Sequence, residues 1–138
     1  MNVRRLWLVL LGLGLVAAAC GGGGGDADVT VTLRDDGITL SEESIAAGEL
    51  RFEGINQGNL THELEVFLVP EGVDADALPM EGNTVPAKET LELIDEVEDI
   101  APGTSAPLSL DLEPGTYAVI CNLPGHYANG MHATFTVA

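Results

Sequence analysis

The chain has 138 residues, with 22 acidic against 5 basic side chains and a net charge of −17. That length fits one domain, and so few cations exclude nucleic-acid binding, which needs Lys and Arg against the phosphate backbone. The sequence holds only two cysteines and three histidines, so the places where they fall decide much of what the chain can do.

Met1–Arg5 is a short basic start and Leu6–Ala19 an apolar run ending in three alanines. This is the layout of a secretory signal, and the run is short for a membrane span of about 20 residues. Cys20 follows directly, and "VAAAC" resembles a bacterial lipobox, with Ala17 where Leu is common. The resemblance implies that residues 1–19 are removed and that Cys20 is lipidated. Residues 20–27, with Gly21–Gly25, then form a loose tether, since Gly-rich segments behave as flexible coils. The expected location is the outer face of the cell membrane or the periplasmic space, with the exported chain anchored through the lipid. What remains is about 120 residues, enough to bury roughly two-thirds of the unfolded surface. With Cys20 occupied, Cys121 has no partner for an internal disulfide. A lone thiol in an oxidising compartment calls for burial, a metal or reactivity.

Residues 28–138 form the expected folded domain. "VTVTL" at Val29–Leu33 alternates and is β-branched, "DDG" at Asp35–Gly37 is a turn, and "ITL" continues beyond it. Leu50–Ile55 alternates again and ends in a Gly/Asn turn. "HELEVFLV" puts His62, Leu64, Val66 and Leu68 on one face of a strand and Glu63, Glu65 and Phe67 on the other. Residues 70–99 carry ten acidic side chains and one lysine; they read as an acidic insertion in which "ETLELIDEVEDI" fits a helix or a strand. Strands follow at Leu108–Leu112, Thr116–Cys121 and "HATFTV" near the end. The fold class is all-β, a Greek-key sandwich of about seven to eight strands. No strand–helix–strand alternation is visible, so a parallel sheet is not expected.

"CNLPGHYANGM", Cys121–Met131, places a thiol, an imidazole and a thioether on one loop, each spacer ending in glycine. His62 comes from a strand 59 residues earlier. Soft thiolate and thioether ligands select copper, and two imidazoles, a thiolate and a weak axial thioether are the blue-copper set. The C-x2-C pairs of structural zinc sites are absent. A Cys121 nucleophile with His126 as its base lacks a visible orienting group and oxyanion hole. His132 follows Met131 and points the other way along a strand, so it is read as a surface residue outside the site.

"NQGNLTHELEV" (Asn56–Val66) and "PGTYAVICNLPGHYANGMHATFTV" (Pro114–Val137) together resemble the cupredoxins, the plastocyanin- and azurin-like blue copper proteins. The resemblance extends over Val29–Ala138. It implies His62, Cys121 and His126 as equatorial ligands of one copper, which alternates between Cu(II) and Cu(I), and Met131 as the axial ligand. It also implies a corner tyrosine at Tyr117. The C-x4-H-x4-M spacing is similar to that of the rusticyanin-like members rather than plastocyanin (C-x2-H-x4-M) or azurin (C-x4-H-x3-M). Glu63 stands where many members have Asn, and Thr61 where azurin has a glycine. The neighbours of Cys121 are Ile120 and Asn122, not the histidine through which copper enzymes pass electrons to a second centre.

The implied function is therefore not enzymatic. It is one-electron transfer between membrane or periplasmic redox proteins by a monomeric, lipid-anchored carrier. His126 would be the exit edge, ringed by Leu123, Pro124 and Tyr127, and the acidic segment would meet a basic docking face on the partner. The alternatives are copper delivery or storage with the same ligands, and a copper-free structural module on the same fold.

Overall fold

The computed structural model describes residues 25–138. The expected signal segment (1–19), the expected lipidation site Cys20 and most of the expected glycine tether lie outside the described residues. Among the described residues, nine strands form two sheets that pack face to face. The first has the order β2 (Gly37–Leu40), β1 (Val29–Arg34), β4 (Gly48–Asn56), β7 (Ser105–Leu112). The second has the order β3 (Ser44–Ile45), β9 (His132–Val137), β8 (Gly115–Ile120), β5 (His62–Leu68), β6 (Glu92–Ile100). One short helix, α1 (Ala87–Thr90), precedes β6.

Two features correct the sequence reading. The sheets are mixed: β1 runs parallel to β4, and β3 parallel to β9. The described residues hold nine strands, two beyond those read from the sequence: the two-residue β3 and Glu92–Ile100. That acidic stretch pairs with β5 through two register irregularities, between His62 and Leu64 and between Val66 and Phe67. Each irregularity shifts the alternation of side chains. Ile94, Val97 and Ile100, the residues of β6 that pack on the core between the sheets, therefore fall three apart, which imitates a helix in the sequence. Pro107 lies within β7, and this is tolerated because β7 is an edge strand.

The period-two pattern sends Val29, Val31, Leu33, Phe52, Leu64, Val66, Val119, Phe135 and Val137 into one core between the sheets. Phe135 stacks on Tyr117 with ring centroids 5.4 Å apart, and the Tyr117 hydroxyl donates to the Glu113 carbonyl at 2.9 Å, which makes the expected corner. Phe67, on the opposite face of β5, belongs to a second core with Ala75, Leu78, Val85, Leu91, Ile120 and Tyr127. The excursion between β5 and β6 is therefore a packed cover over the outer face of the second sheet. Burying side chains of that size stabilises by about 1.5–3 kcal/mol each.

Candidate metal centre

His62 opens β5 and is fully buried. Its partner across the ladder is Ile100, and the preceding Asp99 adopts a left-handed backbone (φ 55°) within the β5–β6 irregularity, a conformation that Asp tolerates better than most residues. The bulge re-aims the strand where His62 begins. Cys121 follows β8 immediately and is also fully buried. Its N–H donates to the Met131 carbonyl (3.0 Å), and the Met131 N–H donates to His126 (3.1 Å), so the loop closes on itself. Gly125 and Gly130 have φ of 85° and 99°, values that L side chains adopt only with strain. The glycines beside His126 and Met131 are thus required by the turns that return the donors to one place.

His62 Nδ1 and His126 Nδ1 lie 3.1 Å apart, with Cys121 Sγ at 3.3 Å from His126 Nδ1 and 3.9 Å from His62 Nδ1. A circle through these three atoms has a radius of about 2.0 Å, which is the length of a metal–imidazole bond and slightly short of a metal–thiolate bond. The three donors therefore fit one small ion. Met131 is fully buried in the same core as Cys121. Among the described residues, His62, Cys121 and His126 are the one group of metal-capable His, Cys, Asp or Glu side chains that converges so closely.

Burial pushes the Cys121 thiol up to about 11, against the pull of the Glu63 and Leu123 amides; a bound cation reverses that by favouring the thiolate. Burial, reinforced by the nearby His62, holds His126 below the usual imidazole value, which keeps its lone pair free. Glu63 acts in two ways. Its N–H donates to Cys121 Sγ at 3.4 Å, and its carboxylate accepts from the Asn122 N–H at 3.0 Å. It thereby joins the strand bearing His62 to the loop bearing Cys121, and burial raises its carboxyl above the ordinary value.

Two residues outside the expected site also matter. Asp35, in the β1–β2 turn, places Oδ1 3.0 Å from His62 Nε2. The Asn59 and Leu60 amides donate to the same carboxylate. Led by the Asn59 bond, these partners hold its carboxyl down at about 2. Asn122 exchanges two hydrogen bonds with the Val85 backbone, at 3.0 and 2.8 Å, and so fastens the ligand loop to the cover. Tyr127 corrects an expectation: it does not stand on the rim beside His126. Its ring is buried, and its hydroxyl donates to Ala75 O (2.7 Å) and accepts from Leu78 N (3.0 Å). His132 stands apart from the donor cluster, stacked on Tyr127 with centroids 4.4 Å apart and 2.8 Å from Asp76.

A family profile described as copper binding proteins, plastocyanin/azurin family, matches residues 40–138. The chain belongs to that family. As a cupredoxin it shares its fold with solved structures of modest identity. One is the dithionite-reduced auracyanin of the photosynthetic bacterium Roseiflexus castenholzii (26% identity, 82% of this chain and 99% of that one, TM-score 0.54). Others are auracyanin B (24%, 83% and 92%, TM-score 0.51) and the rusticyanin of Thiobacillus ferrooxidans (15%, 80% and 75%, TM-score 0.59). No curated protein matches the cupredoxin sequence. The family and the His–Cys–His cluster together support a single copper site.

Proposed function

We propose that this cupredoxin is a one-electron carrier whose copper is held by His62, Cys121 and His126, with Met131 completing the set. The observation that carries the reading is the triangle of two imidazole nitrogens and one sulfur, sized for a single ion and built from the donors that copper prefers. Bound copper supplies a couple between Cu(II) and Cu(I). The chain supplies a fixed seat. His62, Cys121 and Met131 are fully buried, so water is kept from three of the four side chains and little moves when the charge changes. His126 alone is partly exposed, which suits it as the edge through which electrons pass. Leu123 and Pro124, half-buried and exposed nearby in the loop, offer the small apolar surface a transient partner uses. Closure of the other three ligands favours holding copper over handing it on. Lipidation at Cys20, on the outer face of the cell membrane, would keep the carrier beside membrane redox partners.

The test is the visible spectrum of the full-length chain with one equivalent of Cu(II), beside Cys121→Ser. An intense thiolate-to-copper band, bleached by ascorbate and missing from the variant, is the expected result. No coloured band in the wild type would overturn the reading.

A further inference from the structure

Asp35 belongs to the "DDG" turn, 27 positions before His62, and its hydrogen bond to the candidate donors goes to that imidazole. Four observations set it apart from an ordinary turn residue. Its carboxylate is fixed before His62 is considered, by the Asn59 and Leu60 amides at 3.0 and 3.2 Å. The cation next to it in the chain, Arg34, bonds Gln57 at 2.7 Å, and among the described residues the ion-pair partner of Asp35 is His62. His62 has no exposed surface, and Asp35 is the partner of its outward nitrogen among the described residues. Finally, a Cβ on Gly58 would lie 2.2 Å from Asp35 Oδ1 and 2.8 Å from His62 Nε2. Any side chain there would have to displace the carboxylate or the imidazole.

We propose that Asp35 is a positioning residue for the metal centre, holding His62 with its proton on Nε2 so that the Nδ1 lone pair faces the ion, and lending the imidazole negative charge. The inference rests on the copper reading above. A buried neutral imidazole can carry its proton on either nitrogen, and the hydrogen bond made by one nitrogen decides what the other can do. A carboxylate behind a metal-bound histidine also raises its basicity. Together with the Cys121 thiolate, one ionised Asp35 balances the two charges of Cu(II). Its field therefore favours the oxidised ion over Cu(I).

Three variants of the full-length protein separate orientation from charge. Asp35→Asn can still accept from Nε2–H but carries no charge. It should keep the colour while the ratio of Cu(II) to Cu(I) affinity falls about tenfold, equivalent to a potential higher by about 59 mV for one electron. Asp35→Ala loses both effects, and its Cu(II) affinity should fall about 10–100-fold. Gly58→Ala keeps the carboxylate but displaces it, and should resemble Asp35→Ala. Unchanged potential and affinity in Asp35→Asn and Asp35→Ala would overturn the proposal. If Asp35→Ala fails to fold, Asp35→Asn carries the test. The nitrogen-15 tautomer of His62 in the metal-free protein gives a readout that does not depend on copper. Protonation on Nε2 in the wild type, lost or mixed in Asp35→Ala, is expected; a wild-type proton on Nδ1 would overturn the proposal even if the copper reading stands. A wild type without a coloured band would sink the copper reading and leave the tautomer result to be judged separately.

Discussion

His62 and His126 present nitrogens to the same point, 3.1 Å apart, yet they are built in opposite ways. His62 starts a central strand, is fully buried and has a carboxylate behind it. His126 sits on a loop, partly exposed, held by backbone hydrogen bonds to Leu123 and Met131, and its outer nitrogen has no side-chain partner among the described residues. The difference teaches that rigidity and access are divided between the two imidazoles. A strand can fix a donor but also covers it, whereas a short loop can leave an edge in solvent. The glycines of that loop and its fastening through Asn122 to Val85 supply the order that a strand would otherwise give.

Replacing each histidine by glycine should break the comparison most sharply. His62→Gly empties a buried site, and destabilisation by about 2–5 kcal/mol, as for other large-to-small core changes, is expected together with loss of the coloured band. His126→Gly should also lose the band but keep most of its thermal stability, and free imidazole should restore colour through the open edge. Restoration of both variants, or of neither, would show that the two positions are equally accessible.

A smaller effect should appear on the strand side alone, through pH. Glu65 lies on β5, almost fully buried, and burial pushes its carboxyl up to about 7 although Lys88 lies 3.1 Å away. The native state therefore keeps a proton that the unfolded chain has already released above its ordinary value near 4.5. Stability from this group is complete below that value and is lost as pH rises through 7. Urea unfolding of the metal-free protein should give a lower free energy at pH 8 than at pH 5, and Glu65→Gln should flatten that slope. A wild-type free energy that rises over the same interval would remove Glu65 from the account.

The smallest expected effect belongs to the exposed side. With a net charge of −17, encounter with a basic partner should slow as salt screens the attraction, because the Debye length falls from about 10 Å at 0.1 M to about 3 Å at 1 M. Stopped-flow electron transfer to a cationic redox protein should show that decline, with the visible spectrum unchanged. A flat response would mean that docking at the His126 edge is apolar alone.

Much of the site was legible because its chemistry is local. Cys121, His126 and Met131 lie within eleven residues, and glycine beside two of them announced the turns. His62 was legible because a period of two sent it inward with Leu64 and Val66. Tyr127 was misplaced because an amphipathic ring suits a rim as well as a core, and only the packing of Ala75 and Leu78 around it settles which. The strand at Glu92–Ile100 was ambiguous because two bulges gave its apolar residues a helical spacing.

The amino-acid sequence by itself determined the β class, the three side chains that converge (His62, Cys121 and His126), the loop that carries two of them and the acidic composition of the chain. These depend on composition, local periodicity and short spacings, which do not need the rest of the chain. Tertiary structure decided the parallel pairings, the cover built from the acidic excursion, the bridge made by Glu63 and the carboxylate behind His62. Each depends on residues distant in sequence meeting in space, as Asp35 and His62 do across 27 positions. Such meetings are selected by the packing of whole sheets, which no local pattern encodes.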